Sequence, residues 1–159
     1  MSTSAFVQLC TGFCELAQTA APTLEAQASG VLAFHTEWKE VTVDVIYHPT
    51  GDAGHTFVIF KMGAIDTNEG GAADLLALLH ANFLSLRANA PTFSVHPATG
   101  DAVLQCVFPM VHGTPHGLHA LIEEGVMLVL RWRNGRFSTD HPENVHAPAP
   151  MDIHANQFA

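Results

Sequence analysis

Basic residues are scarce in this chain, and their scarcity limits the partners that it can bind. Only 6 Lys and Arg residues stand against 15 Asp and Glu residues, which gives a formal net charge of −9. A surface of that sign repels the phosphate backbone of nucleic acids. The composition therefore argues against nucleic-acid binding and favours a basic or amphipathic partner.

Cysteine pairs, a leader sequence and a membrane-spanning run are also missing. Cys10, Cys14 and Cys106 are odd in number and show no CxxC spacing, which is typical of reduced thiols in a cytoplasm. Residues 1–18 lack a basic region and include Glu15 in their apolar stretch, so they do not form a signal peptide. No apolar run reaches the roughly 20 residues that cross a membrane. These absences predict a cytoplasmic protein without membrane insertion.

Catalytic motifs are absent as well. The sequence contains no GxSxG, no GxGxxG and no HExxH motif, and the loop over residues 51–56 lacks the lysine of a phosphate-binding loop. The paired carboxylates Glu123 and Glu124 are interpreted as solvated helix charge. No catalytic residue is therefore assigned, and we expect no enzyme activity and no cofactor.

Histidine, by contrast, is abundant, with 11 residues. His116 and His119 lie one helical turn apart with His112 just before them, a spacing that can bring imidazoles together around zinc. No cysteine lies near them, so surface histidines at the start of a helix are the favoured interpretation. Cys10 and Cys14 are also one turn apart, and small core residues are favoured over a redox pair. We expect no metal site.

The chain is rich in apolar residues relative to its charge. Hydrophobic residues make up 48% of the 159 residues and charged residues only 13%. This length suits one domain, which buries roughly two thirds of its unfolded surface. Little charge then remains to cover the outside of a monomer, so the composition favours a partner that covers apolar surface.

Three helices are predicted from periodicity and from start and stop residues. The first has apolar residues at three- and four-residue steps and ends near Pro22. The second runs over about residues 72–88, after a Gly-Gly breaker. The third begins with Thr114 as N-cap and Pro115 at its first position, and ends near Arg133 before an Asn-Gly stop.

Five strands are predicted between these helices. They cover residues 31–36, 41–48, 56–62, 93–95 and 102–108. The fold class is therefore α+β, with an antiparallel twisted sheet and three helices in the order α-β-β-β-α-β-β-α. We expect one domain over residues 1–134, followed by an irregular tail rich in proline and histidine over residues 135–159.

Two of these elements are apolar on more faces than a monomer readily buries. Leucine and phenylalanine cover most of the circumference of the second helix, and the strand over residues 56–62 is apolar on both faces. A homodimer with an exposed apolar groove explains this pattern. The alternative is a central strand covered by helices on both faces.

Three phrases of the sequence follow one another in a distinctive order. The first is a leucine-rich helix with the pattern LL-x-AN-x-L, the second a hairpin turn containing Pro-x-Thr-Gly, and the third a last helix that closes on Trp-Arg. The residues that form them are Leu78, Leu79, Ala81, Asn82 and Leu84, then Pro97, Thr99 and Gly100, then Trp132 and Arg133. In these phrases the chain resembles the class I type III secretion chaperones of the Tir chaperone (CesT) family.

The resemblance implies a homodimeric chaperone that binds the N-terminal segment of a secreted effector in extended form and keeps it soluble and secretion-competent. It implies a dimer interface on the second helix and the last strands, for which the candidates are Leu75, Leu78, Leu79, Asn82, Phe83, Leu104 and Cys106. The candidate effector-binding residues are Phe6, Leu9, Phe13, Leu32, Phe34, Val43, Val45, Phe57 and Ile59. Core packing is the alternative role for each, because a one-residue slip exchanges the two faces of a strand.

Two other functions remain open from the sequence. The same fold is also compatible with an adaptor or regulator whose partner is a folded protein. A small ligand-binding or enzymatic domain using the histidines is the third hypothesis, and it predicts a deep pocket with convergent histidines and carboxylates.

Overall fold

A computed structural model describes residues 3–49, 55–65, 71–85 and 90–135, and all structural statements below concern these residues. Most of the loop predicted between the second and third strands and nearly all of the predicted tail lie outside them. The elements are α1 Thr3–Ala17, β1 Leu24–Ala26, β2 Leu32–Trp38, β3 Val41–His48, β4 His55–Ala64, α2 Gly71–Leu84, β5 Thr92–Val95, β6 Asp101–Pro109 and α3 Pro115–Arg133.

The six strands form one antiparallel sheet in the order β1-β2-β3-β4-β6-β5. The predicted α+β class and the predicted order of helices and strands are confirmed, with two differences. A short strand, β1, lies between α1 and β2, and α2 ends at Leu84 rather than near residue 88. The predicted homodimer concerns a second copy of the chain and stays a prediction here.

The core lies between one face of the sheet and the helices α1 and α3. On β3, Val43 and Val45 alternate with partly exposed residues and are fully buried. Phe6 of α1 stacks on Tyr47 of β3, with ring centroids 5.3 Å apart. The helix α3 lies so close to β4 that a methyl group at Gly125 would overlap the ring of Phe60. Glycine at this position permits the close packing of helix on sheet.

Both ends of α3 are fixed by local chemistry. At its start, the Thr114 side chain accepts a hydrogen bond of 3.1 Å from the Gly117 N–H, as predicted for an N-cap. At its end, the helix stops at Asn134, and Gly135 has a φ of 70°. A left-handed residue just after a helix is the usual stop, and glycine adopts it without strain.

Arg133 joins the end of α3 to β4 and to the turn between β2 and β3. Its guanidinium donates hydrogen bonds of 2.9 Å to the carbonyl oxygens of Met62, Glu40 and Lys61. The ladder between β4 and β6 shifts register between Lys61 and Gly63. The guanidinium therefore stabilises the backbone at an irregular point of β4, where the regular ladder is interrupted.

Candidate partner-binding surfaces

The helix α2 exposes a row of large apolar side chains, which we call the α2 row. Leu75, Leu79 and Phe83 follow one another at four-residue steps and are 43%, 64% and 70% exposed. Leu76 and Leu84 are exposed beside them. Side chains at i and i+4 lie on one face of a helix, so these residues form a continuous apolar surface. Singly exposed leucines are common in proteins, whereas a contiguous row of this kind is typical of an interface.

A second row on α2 attaches the helix to the edge strand β5. Leu78 is 3% exposed and packs into the core. One turn later, the Asn82 side chain bonds the backbone of Phe93 twice. Its Nδ2 donates to the Phe93 carbonyl oxygen at 2.9 Å, and its Oδ1 accepts from the Phe93 N–H at 2.7 Å. We call Leu78 and Asn82 the anchor row.

The predicted dimer residues therefore divide into three groups. Leu75, Leu79 and Phe83 lie on the exposed α2 row, and Leu78 and Asn82 form the anchor row. The remaining two, Leu104 and Cys106, are buried in the core. Leu104 pairs with Phe60 and Cys106 pairs with Val58, so both side chains lie on the face of the sheet that α3 covers. They are therefore not on the surface of the single chain.

Most of the predicted effector-binding residues also lie in the core. These residues are Phe6, Leu9, Phe13, Leu32, Phe34, Val43 and Val45, and each is 8% exposed or less. For them the structure shows the core-packing role that the sequence left open. Phe57 and Ile59 differ, because they point to the opposite face of the sheet and are partly exposed. The sequence alone did not reveal this division, since it depends on the register of neighbouring strands.

The face of the sheet opposite α1 and α3, which we call the open face, has an apolar centre. Ile46 pairs with Phe57, and Phe57 pairs with Val107, so the three side chains form a row across β3, β4 and β6. All three are partly exposed, and so is Ile59. Ile46 and Val107 were not predicted to be surface residues. The period-two alternation along β3, in which Ile46 shares a face with Asp44, is the pattern that indicates the exposed position.

Beside this apolar centre, the open face carries a charged bridge across three strands. His35 on β2 lies between Asp44 on β3 and Glu25 on β1, with Nδ1 2.6 Å from Asp44 Oδ1 and Nε2 3.5 Å from Glu25 Oε2. The hydrogen bond with Asp44 is the main cause that raises the pKa of His35 above its ordinary value of 6.5. The His35 side chain thus links the short edge strand β1 to β3.

The thiols and the remaining histidines do not form a reactive site in the described part of the chain. Burial raises the pKa of Cys10 to about 12 and that of Cys106 to about 11, so both thiols stay protonated at neutral pH. His119 lies edge-on to the Trp38 ring, with ring centroids 5.3 Å apart. Among residues 3–49, 55–65, 71–85 and 90–135, no three His, Cys, Asp or Glu side chains come together in a metal-binding arrangement.

A cleft of about 550 Å³ separates α2 from the ends of β4 and α3. Its lining includes one histidine, His80, and one carboxylate, Asp74, beside apolar side chains and Arg133. The Arg133 guanidinium is already bonded to three backbone carbonyls. Among the described residues, the lining of this cleft therefore does not bring together the several histidines and carboxylates that the enzymatic hypothesis requires.

Three solved structures are similar to this fold. The first is a chain from the complex of the Yersinia pestis type III secretion chaperone SycH with a stable fragment of YscM2, with a TM-score of 0.55 and 11% identity over 79% of this chain and 97% of that chain. The second is a chain of the ExsC–ExsE complex, with a TM-score of 0.65 and 16% identity over 83% of this chain and 93% of that chain. The third is a chain of the HopA1–SchA chaperone–effector complex, with a TM-score of 0.52 and 12% identity over 85% of this chain and 96% of that chain.

At such low identities these structures establish the fold alone. No curated protein sequence matches the chain. None of the helices in the described residues has the length and hydrophobicity needed to span a membrane.

The family model for the Tir chaperone protein (CesT) family matches residues 15–133, which include β1 to β6, α2 and α3. This match covers most of the chain, and the chain belongs to the Tir chaperone protein (CesT) family.

Proposed function

We propose that the chain is a class I type III secretion chaperone that binds the N-terminal segment of an effector in extended form and keeps it soluble and secretion-competent. The observation that carries this proposal is the family match over residues 15–133. In the same proposal the protein works in the bacterial cytoplasm, has no enzyme activity and requires no cofactor. Residues 1–134 form the chaperone domain and residues 135–159 an irregular tail.

The α2 row is the proposed dimer interface. Burying a leucine or phenylalanine side chain completely contributes roughly 1.5–3 kcal/mol. Association of two proteins costs roughly 4–15 kcal/mol in translational and rotational freedom. Leu75, Leu79 and Phe83 are 43%, 64% and 70% exposed, so covering their exposed parts on both protomers contributes roughly 5–11 kcal/mol, which is comparable to the cost of association.

The open face of the sheet is the proposed effector surface, with Phe57 and Ile59 retained from the sequence analysis and Ile46 and Val107 added. Ordering about 25 residues of a client costs roughly 25–50 kcal/mol of backbone entropy. At about 25 cal/mol per Å², an apolar contact of roughly 1,000–2,000 Å² offsets that cost. The acidic side chains Glu25 and Asp44 beside the apolar centre favour a client segment that also carries basic residues.

Native capture from a lysate of the source organism, with the bound proteins identified by mass spectrometry, tests this proposal. We expect one dominant partner, held through its N-terminal segment, at two chaperone copies per client. The variant Ile59→Asp should lose this partner. Met127→Asp is the matched control, because Met127 is an exposed apolar residue on α3, away from the open face. Equal capture by both variants would show that the open face does not bind the client.

Hydrogen exchange on the captured partner separates the chaperone from the adaptor. A client held in extended form exchanges rapidly outside its bound segment, because it has no protected core. A partner that is protected throughout, as a folded domain is, would favour the adaptor function instead.

A further inference from the structure

The edge of the sheet at β5 is occupied by a side chain. We propose that Asn82 replaces a β-strand partner at this edge and thereby sets the rotation of α2, so that the α2 row faces outward for a second copy of the chain. Asn82 is then a positioning residue for dimerisation. This inference rests on the proposed dimer interface and adds the residue that orients it.

The geometry of the contact is that of a strand pair. In an antiparallel ladder, successive residues of an edge strand direct their N–H and C=O groups alternately towards the neighbour and away from it. The His96 N–H bonds the Asp101 carbonyl oxygen at 2.8 Å, which places residue 96 among the inward-directed positions. Phe93 is three residues earlier, and its two backbone groups accordingly reach outward to Asn82. A carboxamide presents one donor and one acceptor side by side, as a peptide group does.

Burial alone does not determine which side of α2 faces the body of the protein. Leucine and phenylalanine occupy most of its circumference, so turning the helix would exchange one apolar face for another. The α2 row follows the anchor row by one residue, which corresponds to about 100° around the helix axis. Rotation by that angle would turn Leu79 inward and break both bonds between Asn82 and Phe93. One polar residue in an apolar helix commonly specifies register in this way.

The contact also covers the edge of the sheet at Phe93. An edge strand with open N–H and C=O groups is a template for strand addition and aggregation. Because the Phe93 groups are engaged by Asn82, an extended chain could pair with β5 at this residue only by displacing the Asn82 side chain. The same bonds thus orient α2 and protect the edge at this position.

Four variants of the full-length chain test the inference. Asn82→Leu removes both hydrogen bonds and keeps an apolar side chain of similar size. Gln8→Leu is the matched control, since Gln8 is an exposed residue on α1 with a similar amide side chain, away from α2. We expect the dimer dissociation constant of Asn82→Leu, measured by analytical ultracentrifugation, to rise at least about tenfold, and that of Gln8→Leu to remain within about twofold of the unmodified protein. The Phe93 amide should exchange faster in Asn82→Leu only.

Asn82→Asp tests the same contact through the pH dependence of the dimer dissociation constant, which general destabilisation of the fold does not produce. At pH 7.5 the carboxylate retains the bond from the Phe93 N–H but repels the Phe93 carbonyl oxygen, so the dimer should weaken about as much as with leucine. A protonated carboxyl group donates and accepts as the amide does. We therefore expect the dissociation constant of this variant to return towards that of the unmodified protein, measured in parallel, as the pH falls through the pKa of the new side chain.

The outcomes distinguish the positioning role from the dimer interface itself. Monomers from Leu79→Asp, together with unchanged dissociation constants for both Asn82 variants, would overturn the positioning role and leave the interface intact. Absence of recovery in acidified Asn82→Asp would also overturn it, even if Asn82→Leu were insoluble. An unchanged molar mass for Leu79→Asp would remove the interface, and the positioning role with it.

Discussion

The helices α2 and α3 are both rich in apolar residues, yet they use them in opposite ways. In α3, Leu118, Ile122, Val126 and Val129 are fully buried against the sheet. In α2, Leu78 is the deeply buried leucine, and the α2 row is exposed. The helix α3 completes the core of its own chain, whereas α2 leaves a row of apolar side chains on the surface of the single chain. Apolar content therefore does not distinguish a core helix from a helix with an exposed apolar face, and the distribution of that content around the axis does.

The largest expected effect comes from making the same substitution in both helices. Leu118→Ala leaves a cavity in the core and should lower the free energy of unfolding by roughly 2–5 kcal/mol. Leu79→Ala removes the same atoms from an exposed position and should change the stability of the monomer by less than about 0.5 kcal/mol, while it weakens the dimer. Urea unfolding at protein concentrations below the dimer dissociation constant measures the difference. Equal losses in the two variants would contradict the contrast between the helices.

A smaller effect is expected at the end of α3. Arg133→Met removes the donors to Met62, Lys61 and Glu40 but retains much of the apolar stem. We expect the free energy of unfolding to fall by roughly 1.5–3 kcal/mol, the contribution of hydrogen bonds from a charged group. Arg133→Lys should recover only part of this loss, because an ammonium group cannot reach three carbonyls in the geometry of a guanidinium. Full recovery with lysine would show that charge alone accounts for the effect.

The N-cap at the start of α3 should contribute still less to the free energy of unfolding. Thr114→Ala removes the acceptor for the Gly117 N–H and should lower the free energy of unfolding by about 1 kcal/mol. Thr114→Ser, which keeps the hydroxyl group, serves as its control and should remain close to the unmodified protein. Thermal or urea unfolding of the three proteins side by side checks this prediction. A loss of equal size in the serine variant would indicate that the methyl group matters and the cap does not.

The smallest effect is expected on the open face, away from both helices. The folded-state pKa of His35 is raised, so its bridge to Asp44 and Glu25 stabilises the fold fully below pH 6.5, and this stabilisation is lost as the pH rises through the raised pKa. His35→Gln should therefore be less stable than the unmodified protein in acid, and the two should converge in alkali. Urea unfolding across this range, with an NMR titration of His35, provides the measurement. A stability difference that grows with pH would have the wrong sign for this bridge.

Local chemistry explains which parts of the fold were predictable. Thr114, Pro115 and the Asn-Gly stop define the ends of α3 through contacts within a few residues, and the prediction of this helix is confirmed. The hairpin turn at Gly100 was predictable for the same reason. Its residue has a φ of 74°, which glycine adopts without strain. In each case the determining atoms are close in sequence, so the pattern carries the information.

Features that depend on strand register were not predictable in the same way. The strand β1 has the sequence Leu-Glu-Ala, which lacks β-branched and aromatic residues, and it pairs with β2 through a turn in which Gly30 has a φ of 82°. The bridge at His35 joins residues from three strands that only the register brings together. For the same reason the sequence did not assign Val43 and Val45 to the core and Phe57 and Ile59 to the open face. The dimer and effector surfaces stay predictions for the experiments described above.

The three hydrogen bonds of Arg133 also have a consequence for the order in which the chain folds. They connect positions that are 71, 72 and 93 residues apart in sequence. Contacts over such separations form late, because closing a long loop costs entropy before the contacts compensate for it. During synthesis, the turn at Glu40 and the irregular point of β4 lack their donor until residue 133 has left the ribosome. Until then the nascent chain also lacks the end of α3, which covers the core face of the sheet.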